Sequence, residues 1–167
     1  SYVVSKVIVI ALSAIFTMMA GMLLFVLLLR MNFPWIDLTE GTFETLVQYG
    51  AFRLFLENGN YILYFLFCGI QYGLLAAVLA VAAALFSLLY HDALFVLSVP
   101  LIVRYFIQYY SNLLPEYGQL NPNAIYDISY NVWDHDWLSF AYAWGVSVLA
   151  IVLLGIAIYK LIKTQVI

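Results

Sequence analysis

The sequence predicts an all-α fold: a polytopic membrane bundle of four transmembrane helices, with an amphipathic segment and a broken segment on its outer face. Three observations predict it. Hydrophobic residues make up 66% of the 167-residue chain, charged residues only 9%, and mean hydropathy is +1.02, far above the ~45–50% apolar content of a soluble domain. Several apolar runs reach ~20 residues or more, which at 1.5 Å per residue crosses a ~30 Å hydrocarbon core. The many short alternating segments of a transmembrane β-barrel are missing. One domain, residues 1–167, accounts for the whole length.

The first span covers 7–29. Lys6 precedes it and Arg30-Met31-Asn32-Phe33-Pro34 closes it, because proline pushes its predecessor out of helical geometry. This run is longer than the 7–15 residue core of a signal peptide and has no clear small-x-small cleavage site before polar sequence, so it stays in the membrane. Ala11, Ser13, Ala14, Ala20 and Gly21 allow a neighbouring helix to approach closely.

Residues 35–60 alternate Trp35, Asp37, Glu40, Glu44, Arg53 and Glu57 with Phe43, Leu46, Val47, Phe52 and Leu56. Such a pattern predicts an amphipathic helix at the membrane surface, or alternatively a loop packed on the bundle. Thr39, Thr42 and Glu44 offer helix-starting chemistry, and Asn58-Gly59-Asn60 a helix stop. The second span, 61–90, exceeds one bilayer thickness and must tilt or protrude. Its Ala76-Ala77 and Ala82-Ala83-Ala84 form a smooth packing surface. A His91-Asp92 turn follows, with Asp92 as N-cap of the third span, 93–112. Leu114-Pro115-Glu116-Tyr117-Gly118 breaks that helix, an aromatic and acidic stretch runs to Asp136, and the last span covers 138–159.

Lys6, Lys160 and Lys163 place both termini on the cytoplasmic face of a cell membrane by the positive-inside rule. Eight of the nine carboxylates, Asp37, Glu40, Glu44, Glu57, Glu116, Asp127, Asp134 and Asp136, then fall outside with Trp35, Trp133 and Trp137. Net charge is −3 and no basic tract exists, which argues against a nucleic-acid partner.

Arg104 is the anomaly, ~16 Å from the start of its helix and so near mid-membrane. A charge at that depth is costly and marks a functional or interface position, unless it snorkels past Gln108 toward Glu116. Gln71 is the other strongly polar residue within a span, roughly two turns from Arg104 in depth. Pro100, with Ser98 nearby to satisfy backbone, offers a kink or hinge. Tyr105, Tyr109 and Asn112 share one helical face, either an aromatic belt at the headgroups or the lining of a path. Cys68 has no partner cysteine and reads as a buried apolar residue. Asp134-His135-Asp136 is read as a polar rim rather than a metal site, since adjacent residues rarely converge on one ion. No nucleophile elbow, His-Glu-x-x-His pair or phosphate loop occurs, so the sequence points to no enzyme and no cofactor.

The order of these parts resembles the second half of the membrane subunit of bacterial ABC-2-type transporters, from its third to its sixth membrane helix. Tyr2-Val3-Val4-Ser5-Lys6 stands where that family carries a Tyr-x-x-(Ser/Gly)-Lys-like stretch, and Leu120-Asn121-Pro122 resembles a proline-containing element there. The resemblance implies a re-entrant pair of short helices within 114–136. It also implies a non-catalytic permease subunit, surrounded by membrane lipid, dimeric with itself or a related permease and driven by a separate nucleotide-binding ATPase. Two N-terminal spans and the coupling segment of that family have no counterpart here, and the outer loop from Trp35 to Asn60 is longer than the family's, departures that fit a piece of a longer polypeptide, a divergent short permease or an unrelated protein. The competing expectation is a structural or assembly subunit of a larger membrane complex, because few polar residues line the spans. An intramembrane enzyme ranks behind both, since no acid, base and nucleophile share a depth.

Overall fold

Each of the four apolar runs is a helix, the form that satisfies every backbone N–H and C=O within the segment where no water can do so. The computed structural model describes residues 2–34, 50–115, 118–133 and 135–165. In chain order they form α1 (Tyr2–Asn32), α2 (Arg53–Glu57), α3 (Tyr61–Leu89), α4 (Ala93–Ser111), α5 (Pro122–Tyr126) and α6 (Asp136–Gln165), with no strand among the described residues. Helices α1, α3, α4 and α6 are each long and apolar enough to cross a bilayer, as in a multi-pass membrane protein.

The helix ends follow local chemistry. Phe33 N–H still reaches Leu29 O at 2.9 Å, and α1 stops ahead of Pro34. Asp92 Oδ1 accepts from Leu94 N–H at 2.8 Å and Phe95 N–H at 3.4 Å, the expected N-cap of α4. Gly59 ends α2 with φ of 71°, a conformation that side chains disfavour. Helix α6 begins at Asp136, two residues before the expected span, with a carboxylate at the positive end of its dipole. Thr39, Thr42, Glu44 and the rest of 35–49 lie outside the described residues. The part of the expected surface helix that is described is one short helix packed into the bundle, with Phe52 and Leu56 buried.

Helix α3 is the centre of the bundle, with a third of its span buried against 6% for α4. Helix α1 runs antiparallel along it, so that Val7 and Ala11 meet Ala77 and Val81, joined by Ile158 of α6. That arrangement gathers Lys6, Lys160 and the α3–α4 turn at one end of the bundle. Ala77 and Ala82 are buried as the smooth surface requires, whereas Gly21 faces open space. Helix α1 comes very close to α3 at two residues of α3. A Cβ on Gly73 would stand 2.9 Å from Ile15 Cα and 3.1 Å from its carbonyl oxygen, and one on Gly69 3.0 Å from Met19 Cα. Helix α1 therefore packs backbone to backbone against a Gly-x-x-x-Gly pair, which gains van der Waals contact where lipid supplies no hydrophobic drive.

Gly73→Ala is expected to destabilise the bundle by about 1–3 kcal/mol, because the obstacle is backbone and a helix must move. Gly21→Ala, with nothing within 4 Å, should leave stability unchanged or slightly raised. Thermal unfolding of the two variants side by side in one detergent measures the difference.

Candidate functional site

At the end of the bundle away from the lysines, the broken segment after α4 folds back among the helices. The break is organised by Ser111 and Asn121. Asn121 Oδ1 caps α5 by accepting from Asn123 N–H at 2.9 Å, while its Nδ2 donates to Ser111 O at 3.2 Å and Pro115 O at 3.0 Å. Ser111 Oγ accepts from Asn123 N–H at 3.1 Å and donates to Ile107 O at 2.8 Å. Pro122 opens α5, where its missing N–H costs nothing. These bonds satisfy the carbonyls freed where α4 ends and aim α5 inward.

Helix α5 is then held on both sides. Gln71, 4% exposed on α3, donates from Nε2 to Ile125 O at 2.8 Å. Tyr126 lies against Ser147 of α6; burial raises its phenol pKa and a hydrogen bond with the Ser147 hydroxyl works against that rise. Tyr142 OH donates to Gln119 O at 2.8 Å. Since Gln71 is roughly 15 Å along α3 from Tyr61, α5 reaches well below the helix ends, as a re-entrant element does.

A polar and aromatic rim closes over it. Arg53 Nε approaches Asp136 Oδ2 at 3.8 Å, Asn131 Nδ2 donates to Asp136 Oδ1 at 2.7 Å, and Ser139 Oγ donates to Asn131 Oδ1 while accepting from Trp133 N–H at 3.0 Å. Beneath these, Phe67 stacks with Phe55 at 4.8 Å and Trp144 at 5.7 Å, and Phe140 meets Trp137 at 5.1 Å edge-on. Among the described residues no three potential metal ligands come together; Asp134 lies outside them, and Asp136 is bound to Arg53 and Asn131. Between α5 and this rim is a cavity of about 10 Å³, room for one water, lined by Gln71, Ile125 and Ser139. Gln71 Oε1 is buried there with no protein partner among the described residues.

The structure does not bring together the six residues singled out in the sequence. Gln71 is the anchor of α5. Arg104 is exposed on α4 and forms no hydrogen bond or ion pair with the described residues; its anticipated outer partner, Glu116, is not among them. Its charge does act on Tyr72 of α3, which also feels Asp127 at the end of α5. Gln108 Nε2 turns along α4 to Asn112 Oδ1 at 3.4 Å. Pro100 sits within a continuous α4, and Ser98 Oγ donates to Phe95 O at 2.7 Å rather than to the Val96 carbonyl that Pro100 leaves without its helical donor. Tyr105 and Tyr109, 68% and 56% exposed, face away from the bundle and line no space shared with Gln71.

Tyr64, Cys68 and Tyr72 recur at i, i+4 and i+8 on α3, and Asp127 acts on both tyrosines. Two phenols, a carboxylate and a guanidinium thus share the flank where α3, α4 and α5 meet. The features that the residue-by-residue reading passed over are Gly69 with Gly73, and Asn121 as the tie between α4 and α5. Gly-x-x-x-Gly inside an apolar run was the available signal for the first.

Gln71→Leu should loosen α5 by about 1–3 kcal/mol, since Ile125 O loses its donor in a buried setting. Cys68 is fully buried and is the chain's one cysteine, so its reaction with a maleimide reports the loosening. A rate increase of roughly tenfold or more is expected, and an unchanged rate would show that Gln71 does not hold α5. Compared with known proteins, the chain matches no family model, no curated protein and no solved structure.

Proposed function

We propose that this chain is the non-catalytic, membrane-spanning permease subunit of an ATP-driven transporter of the bacterial ABC-2 type. It sits in the cell membrane with both termini cytoplasmic, pairs through α4 with a second permease protomer, and is driven by a separate nucleotide-binding ATPase. The observation that carries the reading is Arg104. It stands mid-way along an apolar helix with little of its surface buried, exposed and without an ion pair among the described residues. Lipid covers a charge at that depth only at a cost of several kcal/mol, so protein or an aqueous path covers it. Leu97 and Leu101 beside it, each 74% exposed, suit an interface with another helix.

The order of elements supports the same reading: four apolar helices, a short turn between α3 and α4 at the lysine end, and an inward-dipping helix at the other. Gathering Lys6 and Lys160 at the turn end supports cytoplasmic termini. An assembly subunit of a larger complex draws on the same exposed face of α4, and the variant at Arg104 separates the two.

In a Cys68→Ser background, Leu101→Cys is expected to crosslink to a second permease protomer in native membranes, with an ATPase subunit co-purifying. Arg104→Leu should weaken that association at least tenfold, the scale of losing one buried charge contact, and lower ATP turnover of the purified assembly in parallel. Absence of both the crosslink and an ATPase subunit sinks the proposal. Turnover unchanged while the assembly dissolves would make this an assembly subunit.

A further inference from the structure

At the lysine end, α1 and α6 diverge and leave a groove of about 430 Å³, walled by Val4, Val7 and Ile8 on one side and by Ile151, Val152, Gly155, Ile156 and Tyr159 on the other. Gly155 and Val7 form its floor, where a Cβ on the glycine would stand 3.4 Å from Val7 Cγ1. From Ile151 to Tyr159 the groove runs ~12 Å along α6, and its lining is apolar except for the Tyr159 hydroxyl, a surface that suits a hydrocarbon chain.

What lies at its mouth is charged. Along α6, Ile151, Gly155, Tyr159 and Lys163 recur at every fourth residue, and so do Val152, Ile156 and Lys160. Residues at that spacing share one face. Both stripes that wall the groove therefore end in a lysine, each of them exposed. Lys6 Nζ is held 4.8 Å over the Tyr2 ring on another face of α1 and adds to the local field. Asp92, the carboxylate at the nearby turn, is occupied in capping α4. An apolar slot with cations at the headgroup level, in a chain whose net charge is −3, is complementary to an anionic amphiphile.

We infer that the groove between α1 and α6 is a binding site for an anionic phospholipid. One acyl chain lies along Gly155 between the two helices, Tyr159 marks the hydrocarbon boundary, and Lys160 and Lys163 bind the phosphate. Lysines near a membrane surface favour anionic over zwitterionic lipid individually by a small factor and jointly by a larger one. This site is a property of the bundle itself and holds whether the chain transports or assembles.

The test is native mass spectrometry of the purified full chain, with whatever subunits accompany it, titrated with phosphatidylglycerol or with phosphatidylcholine of the same acyl composition. Phosphatidylglycerol should be retained preferentially, and Lys160→Gln with Lys163→Gln should reduce that preference roughly thirtyfold. Gly155→Leu, which fills the groove, should remove the retained lipid of both kinds. The lysine pair is exposed and its replacement leaves the packing intact, so the result does not depend on Gly155→Leu folding. Equal retention of the two lipids, or a preference that survives loss of both lysines, overturns the inference. So does a crosslink from Val152→Cys, in a Cys68→Ser background, to a protein helix in native membranes, because a helix would then occupy the groove.

Discussion

Every long helix of this bundle packs against α3, and five of its residues, Gly69 to Gly73, hold both α1 and the short α5. The two glycines let the backbone of α1 close to contact distance. On another face of the same stretch Gln71 reaches the main chain of α5 at 2.8 Å. Tyr72, between them, feels the charges of Arg104 and Asp127. In a bilayer, where helices gain nothing by leaving lipid for one another, close contact and internal hydrogen bonds are the available adhesives. One and a half turns of α3 supply both.

The inward-dipping helix depends on the same economy of polar groups. A short helix among spans exposes backbone carbonyls that lipid cannot satisfy, so it persists only where side chains reach them. Gln71 meets Ile125 O, and Tyr142 meets Gln119 O. Asn121 and Ser111 close the turn that introduces it. Above it, the Arg53, Asn131, Asp136 and Ser139 cluster and the ring of Phe and Trp side chains keep the space dry except for a cavity fitting one water. The opposite end is apolar between α1 and α6, carries the Phe86, Tyr90 and Phe95 rings at the α3–α4 turn, and is rimmed by lysines. The two ends therefore differ in what they expose, a polar and aromatic rim at one and an apolar groove flanked by lysines at the other.

Helix α4 stands apart from this economy. Its inner face gives α3 only Val99 and Ser111 as fully buried residues, and its outer face carries Leu94, Leu97, Leu101 and Tyr105 in the open. Arg104 on such a helix is out of place for a protein that acts alone, which is why the proposed partner is sought there and not at the better-packed α1.

Composition and run length by themselves determined that the chain is an all-α bundle with four helices able to cross a membrane, because only helices and closed barrels satisfy their backbone in lipid and the alternating segments of a barrel are missing. Local chemistry determined most of the ends: Pro34 halts α1, Asp92 starts α4, Gly59 stops α2, and Asn121-Pro122 opens α5. Only the tertiary structure decided what each polar residue in a span is for. Gln71 and Arg104 look equivalent as polar letters in apolar text, yet one is buried as the anchor of α5 and the other is exposed on α4. Tyr105 and Tyr109 share a face by spacing, but spacing does not say whether that face looks inward. Those distinctions depend on how helices rotate about their axes when packed, and rotation is set by contacts such as Gly73 on Ile15, which join residues 58 positions apart and leave no mark in the local sequence around either Arg104 or the tyrosines.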